Sequence, residues 1–105
     1  MELASKKCKP CEGGTPPLDQ QISEKLLVQV EGWSLENKTI HRNFKFKNFV
    51  EAMKFVNRVA DLAEEEGHHP DIHISYNRVK LSLTTHAIGG LSENDFILAA
   101  KIDRL

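Results

Sequence analysis

The chain has 105 residues, 40% of them hydrophobic and 28% charged, and 14 basic against 15 acidic side chains leave a formal net charge of -1. That length fits one small domain with a modest stability margin, which oligomerisation would naturally supplement. The charge balance carries no basic surplus for nucleic acid, no apolar run reaches the roughly 18 residues of a membrane span, and two cysteines do not make a disulfide scaffold.

Residues 1–17 contain Cys8, Pro10, Cys11, Gly13, Gly14, Pro16 and Pro17, the composition of an irregular or mobile leader. The opening Met-Glu-Leu-Ala-Ser-Lys-Lys lacks the apolar stretch of a secretory signal, so a cytoplasmic location is expected. Residues 18–105 read as a single domain. Leu18, Ile22, Leu26 and Val30 recur four apart, which predicts a helix stopped by Gly32. Trp33 and Leu35 alternate, Asn37-Lys38 turns, and Ile40, Phe44 and Phe46 share one strand face, with Arg42 as the exception on that parity. Lys38, Arg42, Lys45, Lys47 and Lys54 crowd this region and read as solvated strand and helix faces.

Asn48 followed by Glu51 matches a capping box and opens a helix that Gly67 closes. Its two apolar rows, Phe49-Met53-Val56-Ala60-Ala63 and Ala52-Phe55-Val59-Leu62, are wider than one sheet face needs, which predicts a homodimer or homotetramer. Ile72-Ile74-Tyr76 and Val79-Leu81-Leu83 predict a second hairpin turning at Asn77-Arg78, with Tyr76 opposite Val79 and Ile74 opposite Leu81. Ser92 and Asp95 form a second capping pattern ahead of a helix carrying Phe96, Ala99 and Ala100 inward. The order α-β-β-α-β-β-α implies an α+β two-layer fold, a four-stranded antiparallel sheet with helices on one face.

The segment Glu64-Glu65-Glu66-Gly67-His68-His69-Pro70 breaks a local rule. Acidic side chains at a helix C-terminus oppose its partial negative charge, at a cost of about 0.3–1 kcal/mol each, and such violations often mark functional places. His68 and His69 follow at once, and imidazole can give and take protons near neutrality. Pro70 pushes His69 toward extended geometry. The hairpin register then brings His86 beside His69 and Pro70. Three histidines and a carboxylate could hold zinc, yet no second pair stands at ligand spacing, and Pro70 argues against a helical His69/His73 pair. Cys8-Lys9-Pro10-Cys11 reads as two thiols in a loop, and His41 and His73 as surface residues.

The spacing of Glu64, His68-His69-Pro70, Tyr76, His86 and Asp95 resembles that of the pterin-4a-carbinolamine dehydratases, as do Gly32-Trp33, Phe44-x-Phe46-x-x-Phe49, Tyr76-Asn77-Arg78-Val79, Thr85-His86 and Gly90-Leu91-Ser92. The resemblance spans roughly residues 18–105 and implies the same fold. It also implies dehydration of a 4a-hydroxytetrahydropterin to quinonoid dihydropterin and water, the step that regenerates the cofactor of aromatic amino acid hydroxylases. Neither a metal nor an organic cofactor is implied. By position, His68, His69 and His86 would be catalytic, and Glu64, Trp33, Pro70 and Thr85 would contact substrate. Asp95 is explained by capping. Gly67 stands where some family members carry an acidic residue. The alternative is a non-catalytic pterin-binding protein, or an assembly or coactivator protein, of the same fold.

Overall fold

The computed structural model describes residues 3–9 and 16–105. Helix α1, Gln20–Leu27, starts at Asp19, whose carboxylate accepts from the Ile22 N–H at 2.9 Å. It ends earlier than the apolar stripe alone predicts, and two turns carry the chain to Val30, which is buried. Strands β1, Ser34–Glu36, and β2, Thr39–Lys45, pair through the expected Asn37-Lys38 turn, with Asn37 at φ 54°. Helix α2, Phe49–Glu66, is capped by Asn48 accepting from Glu51 N–H at 2.9 Å and closed by Gly67 at φ 67°. Strands β3, Asp71–Ser75, and β4, Arg78–Leu83, form the second hairpin, and α3, Glu93–Ile102, follows a short 3-10 turn at His86–Ile88. The sheet is antiparallel in the order β1-β2-β4-β3, with the helices on one face.

The second hairpin differs from the expected register by two residues. Ile74 faces Val79 and Ile72 faces Leu81, so the turn is Tyr76-Asn77 rather than Asn77-Arg78. Tyr76 takes the left-handed conformation, φ 52°, and Asn77 is used elsewhere. Its Nδ2 donates to Phe46 O at 2.9 Å and its carbonyl accepts from Phe46 N–H at 2.8 Å, tying the turn to the end of β2. A shift of two preserves which side chains face inward; β4 is buried as the alternation predicts, whereas Ile74 and Tyr76 of the first apolar row are 41% and 65% exposed. Ile40, Val79, Leu81 and Leu83 are buried beneath α2 and α3.

The inward-parity exception, Arg42, has a local explanation. Its guanidinium lies 4.7 Å from the Phe44 ring centroid, and Nη1 donates to Asp103 Oδ1 at 2.7 Å. Gly32, at φ 85°, sits directly against it, and a Cβ there would come within 2.8 Å of Arg42 Cζ. Gly32→Ala is therefore expected to lower stability by about 1–2 kcal/mol from backbone strain alone. Chemical denaturation at equilibrium would read this as a lower midpoint.

Helix α3 is buried on almost every side: Phe96, Ile97, Leu98, Ala99 and Ile102 are all inside. The N-terminal residues help cover it. Leu3, within a short 3-10 turn at Leu3–Ser5, is 4% exposed and joins the core, and Lys6 Nζ reaches Glu93 at 3.1 Å. The stretch Leu3–Lys9, expected from composition to be irregular or mobile, is thus docked, because its apolar anchor and its partners lie far along the chain. On α2, Ala52, Val56, Val59 and Ala63 are buried, whereas Phe49 and Val50 are about half exposed. No described helix is long and apolar enough to cross a membrane.

Candidate active site

Three connections meet at one end of the sheet: the α2–β3 loop with His68, His69 and Pro70, the end of β4 with Thr85 and His86, and the start of α3. They enclose a cavity of about 310 Å³ lined by Lys9, Gly67, His68, His69, Thr84, Thr85, His86, Ala87 and Asn94. All three sequence-predicted histidines are among its walls. A larger cavity of about 640 Å³ lies on the outer sheet face around the β1–β2 turn. It holds one acid–imidazole pair, His41 with Glu36, separated by 3.9 Å.

The acidic helix end has two specific uses. Glu64 Oε2 accepts from His69 Nε2 at 2.5 Å, an exposed pair that orients the ring. Glu66 turns the other way, with a side chain only 4% exposed. Its Oε2 accepts from Lys101 Nζ at 2.8 Å and its Oε1 from the Cys8 N–H at 3.0 Å. Burial opposes ionisation of Glu66, but these donors outweigh it and hold the carboxyl below its ordinary value of 4.5. The pair therefore contributes stability that is fully present above that value and is lost as pH falls through the lower folded value. Replacing Glu66 by Gln is expected to flatten this part of the acid-unfolding curve, followed by far-UV circular dichroism.

His68 is held differently. Its ring is mostly buried and its Nε2 lies 2.6 Å from Asp95 Oδ1, while Asp95 is fully buried. The other oxygen, Oδ2, accepts from the Thr85 hydroxyl at 2.8 Å and from the Ser92 N–H at 3.0 Å. Asp95 caps α3 and orients His68 at once, the second role being one that sequence reasoning missed. With a carboxylate as acceptor, Nε2 carries the proton, which leaves Nδ1 as the ring's basic nitrogen. Thr85 lines the cavity, but its proton goes to Asp95, so it supports the dyad from behind.

The remaining expected contacts are spread out. Glu64 reaches the cavity through His69, and Pro70 is a half-buried neighbour of that ring. Trp33 does not line this cavity. It is 5% exposed, edge-on to Phe44 at 6.4 Å between ring centroids, and its Nε1 donates to Asp103 Oδ1 at 2.9 Å. Burial pushes the Asp103 carboxyl up despite the donors from Trp33 and Arg42. Among the described residues no three His, Cys, Asp or Glu side chains are grouped to hold a metal ion. The Cys8 thiol is pushed up to about 12 by burial and by the nearby Glu66 charge, which disqualifies it as a nucleophile at neutral pH. Cys11 lies outside the described residues.

Residues 16–105 match the model of the pterin 4 alpha carbinolamine dehydratase family. The chain belongs to that family. A dehydratase relative from Nitrosospira multiformis, provisionally named as pterin-4-alpha-carbinolamine dehydratase, is 56% identical over 99% of this chain and 92% of its own length. Pterin-4-alpha-carbinolamine dehydratase 2, mitochondrial, of Arabidopsis thaliana is 48% identical over 99% of this chain and 59% of its own. A solved structure described as a transcriptional coactivator/pterin dehydratase from Brucella melitensis superposes with a TM-score of 0.80 at 34% identity, covering 84% of this chain and 96% of that one. A pterin dehydratase-like protein identified as a RuBisCO assembly factor in the alpha-carboxysome superposes with a TM-score of 0.56 at 25% identity, covering 69% of this chain and 83% of that one.

Proposed function

We propose that this chain is a hydro-lyase that converts a 4a-hydroxytetrahydropterin into quinonoid dihydropterin and water, in the recycling of the cofactor used by aromatic amino acid hydroxylases. The observation that carries the reading is the convergence of His68, His69 and His86 on one cavity, with His68 anchored to a buried carboxylate. The reaction removes the N5 proton, forms the C4a=N5 double bond and expels the 4a-hydroxyl as water after it gains a proton. His68, presenting Nδ1 with Asp95 behind Nε2, takes the N5 proton, and Asp95 stabilises the imidazolium that results. His86 supplies the proton to the leaving oxygen. His69, set by Glu64 and stiffened by Pro70, holds the pterin against this pair.

The assembly-factor relative favours a second reading, a protein of the same fold that binds without turnover. One assay separates the two. Added protein at micromolar concentration should accelerate the decay of enzymatically generated carbinolamine at neutral pH, with quinonoid dihydropterin appearing at the same rate. Decay at the spontaneous rate would sink the hydro-lyase reading.

We also assign the half-exposed Phe49 and Val50 face of α2 to contact between copies, giving a homodimer or homotetramer in the cytoplasm. Light scattering at micromolar concentration should return a multiple of the 11.9 kDa chain mass, and a monomer would contradict the assignment.

A further inference from the structure

The family match begins at residue 16, yet part of the cavity wall comes from before it. Lys9 and Asn94 line the cavity alongside the three histidines. Asn94 is 7% exposed, and its amide grips the Lys9 backbone at both ends. Oδ1 accepts from the Lys9 N–H at 2.9 Å, and Nδ2 donates to the Lys9 carbonyl at 2.5 Å. One residue back, the Cys8 N–H donates to the buried Glu66 carboxylate, and its thiol lies 3.6 Å from the Asn94 carbonyl. Two successive backbone N–H groups are thus taken up by buried side chains, and Leu3 anchors the far end in the core. A tail draped by chance would leave its backbone to water. The N. multiformis relative aligns over 99% of this chain, so the similarity reaches into this stretch as well.

We propose that Leu3–Lys9 is a strap belonging to the pterin site, with Lys9 forming part of the wall that positions the bound ring against the histidines. The proposal rests on the pterin reading above. The fold links the two parts directly: Asn94 clamps the strap and the next residue, Asp95, holds His68, so both are set by the first turn of α3. The strap is a positioning element. Its loss removes binding that ground state and transition state share, which raises KM and leaves kcat in place.

The test uses the full chain with Lys9→Pro, which deletes the N–H given to Asn94 and touches no histidine, and a second variant lacking residues 2–9, each checked for folding by circular dichroism. For folded variants KM for the carbinolamine should rise roughly fivefold or more with kcat within about twofold. The dissociation constant of 7,8-dihydrobiopterin, a stable pterin, should weaken by a similar factor. If the deletion does not fold, Lys9→Pro alone decides. A folded Lys9→Pro protein with unchanged KM and dissociation constant overturns the proposal, as does a fall in kcat at constant KM. Should the wild type show no turnover, the dehydratase reading fails, and the dihydrobiopterin constants still decide the strap.

Discussion

Replacing Asp95 by Asn is expected to lower kcat about 10²-fold or more while pterin binding stays within a few-fold of wild type. The carboxylate accepts three hydrogen bonds, from His68 Nε2, the Thr85 hydroxyl and the Ser92 N–H. An amide keeps the shape, and its single oxygen can still cap Ser92. With that oxygen in the place of Oδ2, which also accepts from Thr85, the NH₂ faces His68. Facing His68, it donates to Nε2 and drives the ring proton onto Nδ1, the nitrogen that the mechanism needs empty. It also withdraws the negative charge that stabilises the imidazolium. A merely structural Asp95 would instead lower stability and leave kcat per folded molecule intact. Single-turnover rates at a protein concentration well above substrate, set beside the urea midpoint, separate the two.

The second large effect concerns stability. Lys101→Met removes the cation from the Glu66 carboxylate, 4% exposed, and leaves it the neutral donors of Cys8. Breaking a buried ion pair on one side costs about 3–5 kcal/mol, against a total of about 5–15 kcal/mol for a domain. A drop in melting temperature of at least ~10 °C follows. The double variant Lys101→Met/Glu66→Gln should recover much of the loss, since a neutral amide in that place needs no counter-ion. The penalty of the single variant should shrink as pH falls, because protonating the stranded carboxyl removes the uncompensated charge. Equal melting temperatures for wild type and Lys101→Met at pH 7 would show that the pair is dispensable.

What was legible in the sequence was local. Asn48 and Gly67 bracket α2 through their own backbone chemistry, and Asn37-Lys38 turns the first hairpin where expected. The second hairpin slipped by two residues because a contact across the sheet, Asn77 with Phe46, outweighs the preference of Asn for the left-handed position. The histidine trio was legible because an even slip leaves both faces, and the end of the sheet at which the loops meet, unchanged. Asp95 fits the family spacing but was read as a cap, since capping already explains a carboxylate three residues after Ser92. Its second oxygen reaches 27 residues back to His68, which no local pattern encodes. Cys8 and Lys9 were hidden for the same reason: their partners, Glu66 and Asn94, lie 58 and 85 positions away. Trp33, expected at the substrate, has its indole N–H on Asp103 near the other end of the chain.

The proposed dehydration needs three imidazoles acting together on one bound pterin. Stopped-flow decay of the carbinolamine at pH 7, compared for wild type, His68→Ala, His69→Ala and His86→Ala, tests that most directly. The expected result is a loss of about 10²-fold or more in kcat for His68→Ala and His86→Ala, with His69→Ala weakening mainly KM. Four proteins with the same kcat and KM would contradict it.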